Sequence, residues 1–290
     1  MSVTLENETH VVKLTSLGAE LLSFKDKEHE VEYIWQGDPT FWGRRAPVLF
    51  PIVGRLKNDS YTYEGKQYTM TQHGFARDEV FEIEKMNEDS VIFLLKSNPH
   101  TKSMYPFDFE LRVGYQLCQH DVHVTYHVTS LSDTLIFGVG GHPAFNVPLV
   151  DHCQYDDFYL NFNPLKSRLM IPLEGAFINL SEKTLGQTNT PIQIKRSLFE
   201  NDAVILETSG KNSFTIASEK TERSVTLSYH EFPYVGFWTP YDKEAPFVCI
   251  EPWCGIADTL DATGELTEKF GMNQLGQGEV FHRTYTISVN

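Results

Sequence analysis

Residues 109–129 read FELRVGYQLCQHDVHVTYHVT, and this stretch gives the clearest indication of the fold class. Apolar and polar residues alternate through 109–117 and again through 121–129, with the short segment Cys118-Gln119-His120 between them. A period of two places every second side chain on the same face of an extended strand. The stretch therefore predicts a pair of neighbouring strands joined by a turn.

The same period continues along the rest of the chain, with turn residues such as Ser209-Gly210-Lys211-Asn212 between the strands. Further predicted strands cover 11–16, 90–97, 203–208, 213–218, 223–229, 234–239, 246–251 and 283–289. Only 194–201 and 100–105 suit a helical turn. Because no linker, low-complexity segment or short repeat interrupts the pattern, we predict an all-β fold, a single domain over residues 1–290 built as a large antiparallel β-sandwich. The segment 149–200 fits the strand pattern least and predicts an irregular excursion over one face.

The composition excludes several classes of protein. A net charge of −15 without a basic stripe argues against nucleic acid and against an anionic membrane surface. The first ten residues are polar and no apolar run has the length of a membrane span, so neither a secretory signal nor a transmembrane segment is predicted. The four cysteines have no C-x-x-C spacing, which argues against a structural zinc site or a disulfide framework and favours the cytoplasm.

The segment Gly140-Gly141-His142-Pro143-Ala144-Phe145-Asn146 follows a run of apolar residues. The glycines let other groups approach closely, and the proline interrupts strand hydrogen bonding. His142 is thereby placed at the end of a stiff strand, where an imidazole suits proton transfer near neutral pH. On this pattern alone, a catalytic and a merely structural histidine are equally consistent with the sequence.

Other candidates have ordinary alternatives. His73, in Gln72-His73-Gly74-Phe75-Ala76-Arg77, is as a single residue better explained as a loop histidine. Glu251 ends the apolar run 247–250, and a carboxylate there is costly unless it is paired or faces a cleft. Asp202 could simply precede a strand. Arg45 and Arg77 could be surface residues, or they could bind hydroxyls or a phosphate through their guanidinium groups.

Two patterns that suggest ligands are set aside. On a strand, His123 and His127 share one face while His120 falls on the other face or in the turn, so the three do not converge as zinc requires. Gly138-Val139-Gly140-Gly141 lacks the strand–loop–helix context of a phosphate-binding loop. We expect neither a metal nor a cofactor.

Three segments together, GHPAFN (141–146), HGFAR (73–77) and CIEPW (249–253), resemble the aldose 1-epimerase (galactose mutarotase-like) family. The resemblance spans nearly the whole chain and implies the supersandwich form of the β-sandwich. It implies that His142 and Glu251 are catalytic, and that His73 and Asp202 bind the sugar. Trp238, with other aromatic residues, would lie near the sugar.

One segment departs from the galactose mutarotase pattern. Those enzymes carry Gly-Arg-x-x-Asn-Arg, and here Gly54-Arg55-Leu56-Lys57-Asn58-Asp59 ends in aspartate. The segment APVLFP (46–51) and HGFAR are more similar to the branch with hexose-6-phosphate mutarotases and lactose-operon accessory proteins. In that branch, Arg45 and Arg77 would hold a phosphate at the rim of the cleft.

The resemblance implies interconversion of the α and β anomers of a hexose or hexose phosphate by acid–base ring opening. Glu251 as a carboxylate would accept the proton of the anomeric hydroxyl, and His142 as an imidazolium would protonate the ring oxygen. The partner is then a small sugar, without nucleic acid or membrane. A non-catalytic sugar-binding or regulatory protein stays open as an alternative. A glycosidase would need a second confident carboxylate, for which only Asp202 is available.

Overall fold

Two large antiparallel sheets form the body of the protein, which confirms the predicted β-sandwich. The computed structural model describes residues 1–290. The strands are β1 (Ser2–Glu6), β2 (His10–Thr15), β3 (Leu21–Asp26), β4 (Val48–Leu49), β5 (Ser60–Tyr63), β6 (Lys66–Thr69), β7 (Glu82–Met86), β8 (Ser90–Lys96), β9 (Phe109–Cys118), β10 (Asp121–Ser130), β11 (Thr134–Phe137), β12 (Val139–Gly141), β13 (Ala144–Asn146), β14 (Phe158–Asn163), β15 (Arg168–Ile171), β16 (Leu173–Glu174), β17 (Phe177–Ile178), β18 (Thr184–Gly186), β19 (Ile192–Gln193), β20 (Val204–Glu207), β21 (Lys211–Ser218), β22 (Thr221–His230), β23 (Tyr234–Trp238), β24 (Phe247–Cys254), β25 (Asn273–Gly276) and β26 (Val280–Val289).

Helix is confined to short segments. The single α-helix, α1 (Pro99–Met104), begins after an Asn98 cap and agrees with the predicted helical turn at 100–105. The predicted turn at 194–201 contains a 3-10 turn at Arg196–Phe199. The other 3-10 turns are Lys57–Asp59, Ala76–Asp78, Tyr155–Asp157, Leu180–Glu182 and Leu266–Glu268. The structure contains no helix that is long and apolar enough to cross a membrane.

The larger sheet has nine strands in the order β19-β14-β21-β22-β26-β10-β9-β8-β7. The smaller one has eight, in the order β18-β15-β20-β23-β24-β12-β4, with β13 also paired to β24. Three small sheets of two strands (β5-β6, β11-β25 and β16-β17) and one of three (β1-β2-β3) complete the fold. The two large sheets pack face to face, and the functional cleft described below lies on the smaller one.

The core lies between the two sheets, as the sequence alternation predicts. In β9 and β10 every second residue is buried, and Asp121 pairs with Cys118 to start the hairpin. Phe237 and Ile250 of the eight-stranded sheet belong to the same apolar cluster. Burial of these apolar side chains between the two sheets is the main stabilising contribution to such a fold.

The central strand β24 is longer than the sequence predicts. The pattern ends that strand at Glu251, whereas β24 continues through Pro252 to Cys254 and is buried along its whole length. The backbone N–H of Ile250 donates to Pro143 O at 3.2 Å. Residues two apart in a strand direct their backbone nitrogens to the same side, so the nitrogen of Pro252 faces the same neighbouring segment as that of Ile250. The pairing with this segment is interrupted between β12 and β13, so the N–H that proline lacks is not needed there. A proline is therefore tolerated inside this central strand.

The irregular segment 149–200 carries the six short strands β14 to β19. Its two-stranded hairpin β16–β17 turns at Gly175 and is fixed to the body of the protein by Ile178 N–H, which donates to Asp258 O at 2.9 Å. Leu173 and Ala176 of this hairpin form part of the wall of the functional cleft.

Candidate active site

A cleft of about 350 Å³ opens on the face of the eight-stranded sheet that is turned away from the core. Its floor is formed by alternate residues of β23 and β24, whose other residues point into the core. Six of the seven residues predicted for the site line this cleft: His73, Arg77, His142, Asp202, Trp238 and Glu251. Residues that are far apart in the sequence are thus brought together by the sheet.

His142 and Glu251 face each other because of the strand register. Gly140 of β12 pairs with Trp253, and Ala144 of β13 pairs with Cys249, so the same antiparallel register places His142 opposite Glu251. Both side chains are almost fully buried, and Nε2 of His142 lies 3.1 Å from Oε2 of Glu251. The contact is not aligned as a hydrogen bond, because Oε2 has no hydrogen-bond partner in the protein. Oε2 of Glu251 and Nδ1 of His142 are therefore two buried polar atoms whose hydrogen-bonding capacity the protein itself does not use.

The two glycines before His142 are required by close contacts on both sides of the strand. A Cβ at Gly140 would lie 2.9 Å from Trp253 Cδ1 and from the carbonyl oxygen of Pro252. A Cβ at Gly141 would lie 2.8 Å from the hydroxyl oxygen of Tyr285. Only glycine allows the chain to pass through this gap and present His142 to the cleft.

Aromatic rings surround the imidazole of His142. Trp42 stacks on it with ring centroids 4.9 Å apart and planes at 29°, and Trp238 meets it edge to face at 5.7 Å. His73 also lies edge to face, at 5.4 Å. One face of the Trp42 indole is covered by His142. The stacked indole fixes the plane of the imidazole.

His73 is held as a neutral hydrogen-bond donor. Its Nδ1 accepts from the backbone N–H of Gly54 at 3.1 Å, so the ring proton of the neutral imidazole must be on Nε2. Its backbone has φ of +67°, and its N–H and C=O are bonded to Gly54 and Phe50. Burial lowers the pKa of His73 well below its ordinary value, and the charges of nearby histidine and arginine residues add to that shift. His73 can thus donate from Nε2 to a sugar oxygen without carrying charge.

Burial favours the neutral form of both members of the central pair. It lowers the pKa of His142 to about 3, with a further contribution from the positive charges of Arg77 and Arg44. It raises the pKa of Glu251 well above its ordinary value; the negative charge of Asp202 adds to that rise. Between the lowered pKa of His142 and the raised pKa of Glu251, the pair therefore holds one proton between its two groups.

The arginines are distributed differently from the prediction. Arg77 lines the cleft; its Nη2 donates to Gln72 O at 2.6 Å, while its buried Nε makes no hydrogen bond and lies 3.9 Å from Asp78 Oδ2. Arg45 does not line the cleft, because its guanidinium packs against Gly37. Arg55 takes its place there and lies 3.9 Å from Asp59. The sequence signal for Arg55 is the Gly54-Arg55 pair, which matches the start of the galactose mutarotase pattern, whereas the departure from that pattern lies at Asp59.

Asp202 lies at the exposed rim of the cleft, in a left-handed backbone conformation with φ of +71°. Partial burial of its carboxyl raises its pKa, and hydrogen bonds from the Ala203 backbone and the Trp238 side chain oppose the rise. Asp202 and Glu251 therefore place two carboxyl groups in one cleft, with Glu251 at the floor and Asp202 at the mouth.

One group of residues could hold a metal ion. The ligand atoms of His142, Cys249 and Glu251 are all buried and lie within 4.8 Å of one another. By contrast, His123 and His127 lie on the outer face of the nine-stranded sheet, where a ring nitrogen of His127 is 3.1 Å from one of His282. All four cysteines are free thiols.

Comparison with known proteins gives concordant results. A family model described as aldose 1-epimerase matches residues 1–287. Two Lactococcus lactis subsp. lactis proteins, named Protein LacX (plasmid) and Protein LacX (chromosomal), are each 34% identical over 300 residues, which cover 100% of this chain and 99% of the relative.

Two solved structures are also similar. A galactose mutarotase related enzyme from Lactobacillus acidophilus is 43% identical with a TM-score of 0.98, covering 100% of this chain and 97% of that one. A galactose mutarotase-like protein from Lactobacillus casei ATCC 334 is 33% identical with a TM-score of 0.89, and both chains are covered completely.

Proposed function

Because this chain belongs to the aldose 1-epimerase family, we propose that it interconverts the α and β anomers of a hexose or hexose phosphate by acid–base ring opening. The observation that carries the proposal is the buried pair of His142 and Glu251, with 3.1 Å between Nε2 and Oε2. The family and the similar structures support a carbohydrate epimerase or mutarotase in general. The mechanism and the substrate below are inferred from the cleft.

In the proposed reaction, the carboxylate of Glu251 accepts the proton of the anomeric O1 hydroxyl while His142 donates a proton to the ring oxygen. The bond between C1 and the ring oxygen breaks, and O1 becomes the oxygen of an aldehyde. Rotation of the open chain and the reverse proton transfers close the ring on the other face. No proton is gained or lost overall, so the pair returns to its starting state.

A pair that shares one proton suits mutarotation, because ring opening and ring closure need opposite protonation states of the two groups. Ring opening begins from the carboxylate and imidazolium and ends with a neutral acid and a neutral imidazole. Ring closure begins from that neutral state. Burial favours the neutral state in the empty cleft. Transfer of one proton from Oε2 of Glu251 to Nε2 of His142 converts it to the carboxylate and imidazolium from which ring opening begins.

The other cleft residues would hold the sugar. His73 would donate from Nε2 to a ring substituent, and Asp202 would accept from a hydroxyl at the mouth. The guanidinium of Arg77, which lines the cleft, would be a further donor. The edge-to-face contact with His142 fixes the position of the Trp238 indole. This indole would cover an apolar face of the sugar ring.

The proposal is tested by one-dimensional proton NMR of anomer exchange. Catalysed exchange is measured for glucose, galactose and their 6-phosphates, against the spontaneous rate and against denatured protein. Acceleration with at least one sugar supports the proposal. Saturable binding of the sugars without acceleration would instead support a non-catalytic sugar-binding protein.

The lowered pKa of His142 predicts that activity has no acidic limb near the ordinary pKa of histidine. Since burial lowers the pKa of His142 to about 3 and raises that of Glu251, the pair still holds its single proton when the pH falls below 6.5. We expect kcat/KM not to fall between about pH 7 and about pH 5, although an ordinary histidine would titrate at about 6.5. Anomer exchange in constant ionic strength buffers measures this, and a bell-shaped profile centred near pH 6 would contradict it.

The arginines predict how a phosphorylated substrate is recognised. Arg77→Ala should raise the KM for a hexose 6-phosphate about tenfold or more and the KM for the free hexose much less, because a charge-assisted contact to the phosphate is lost. Added salt should have the same selective effect. Arg45→Ala, which removes a guanidinium outside the cleft, is the matched control. Equal losses for both sugars in Arg77→Ala would favour a neutral hexose.

A further inference from the structure

A second cavity of about 730 Å³ adjoins the cleft. It is called the annex here and lies at the open edge of the sandwich, between β14 and β19 of the larger sheet and β15, β18 and β20 of the smaller one. The annex and the cleft share Leu173, Asp202, Ala203 and Ile205. A molecule bound in the cleft can therefore extend past Asp202 into the annex.

The walls of the annex differ in chemistry from those of the cleft. Asp202, at the junction, is the only charged side chain that lines the annex, whereas Arg55, Arg77, Glu251 and two histidines also line the cleft. More than half of the residues that line the annex are apolar, including Met170 and Leu198. The lining also contains five uncharged polar residues: Gln187, Thr188, Thr190, Ser197 and Asn201. Its two aromatic residues, Phe162 and Phe237, are almost fully buried and offer little ring face for stacking on a sugar.

The sizes of the two spaces also differ. Ligand pockets range from about 300 to about 1,000 Å³. The cleft, at about 350 Å³, has room for one sugar ring, and the annex is about twice as large. Water beside the aliphatic part of the annex lining finds few hydrogen-bond partners, so an apolar group that displaces this water binds favourably.

We propose that the substrate of this protein is a hexose that carries an apolar alkyl or aryl substituent, with the ring in the cleft and the substituent in the annex. The inference rests on the proposed function, and mutarotation requires a free O1 hydroxyl. The substituent must therefore be attached through another hydroxyl of the sugar. Continuity of the annex with the cleft favours this occupant over a second copy of the chain.

The experiment compares glucose and galactose with their butyl and methyl ethers at O2, O3, O4 and O6. For one position, kcat/KM for the butyl ether should exceed that for the parent hexose by about tenfold or more, because each buried methylene contributes about fourfold. The methyl ether should show little gain. If no butyl ether is better than its parent hexose, the proposal is overturned.

Two variants on the same strand test the place of binding. Met170→Trp fills the annex and should abolish the gain with the butyl ether while the parent hexose is converted as before. Leu169→Trp is the matched control, because Leu169 is exposed and does not line the annex. If thermal unfolding shows that Met170→Trp is not folded, Leu198→Trp replaces it. A gain that survives filling of the annex would overturn the proposal.

Calorimetric binding separates this inference from the proposed function. If no sugar is converted but the butyl ether binds more tightly than the hexose, and Met170→Trp removes that difference, the annex is supported and the mutarotase is not. A gain with reducing disaccharides but not with butyl ethers would show a polar occupant and overturn the proposal. Sedimentation tests whether a second copy of the chain covers the annex instead. A dimer that Leu185→Asp, at the exposed edge of the annex, converts to monomer would also overturn the proposal.

Discussion

Replacement of Glu251 by glutamine is expected to lower kcat for anomer exchange by about 100-fold or more and to leave sugar binding within a few-fold. Glutamine keeps the shape of the side chain, but its amide cannot accept the proton of O1. General-base catalysis typically contributes about 10²- to 10⁴-fold. The measurement is NMR anomer exchange for kcat together with calorimetry for binding.

The same variant should also be more stable than the parent. The pKa of Glu251 is raised in the folded state, so the folded protein keeps a proton that the unfolded chain releases above about pH 4.5. Stability is then lost as the pH rises, and removal of the ionisable group should increase the midpoint of thermal unfolding, by about 2–4 °C for each kcal/mol of stability gained. The increase should be larger at pH 8 than at pH 5.

Glu28→Gln is the control for both measurements, because Glu28 is exposed in the turn after β3. It should leave kcat and the unfolding midpoint unchanged. Exchange by Glu251→Gln at close to the parental rate would show that another group is the base, with Asp202 the other carboxyl in the cleft.

Replacement of His142 by asparagine is expected to lower kcat by about 10²- to 10⁴-fold, because the proton donor to the ring oxygen is lost. His73→Asn should mainly raise KM, since His73 is a neutral donor whose Nδ1 is already engaged by the N–H of Gly54. His127→Asn, on the outer face of the nine-stranded sheet, is the matched control and should change neither parameter. Opposite results for the two cleft variants would mean that His73 is the acid.

Local patterns in the sequence predicted most of the strands. The alternation through 109–129 predicted β9, β10 and the turn between them, since a buried face enforces a period of two. The same reasoning placed the end of the central strand too early. Pro252 normally ends strand pairing, and only the gap between β12 and β13 makes it acceptable there.

The arrangement of the cleft depends on contacts between distant parts of the chain. Arg45 and Arg77 look equivalent in the sequence, but Arg45 packs against Gly37 and only Arg77 reaches the cleft. Trp42 carried no sign that its indole would stack on His142. The annex was not foreseen, because it exists only where the edges of two sheets separate.

Local features are sufficient to predict an antiparallel sandwich and a resemblance of the motifs to those of sugar epimerases, because strand periodicity and short motifs are local properties. Three features are visible only in the folded protein: His142 lies opposite Glu251, burial favours the neutral form of both groups, and a largely apolar cavity adjoins the cleft. Register between strands about a hundred residues apart is set by the packing of the whole sheet, which no local pattern encodes.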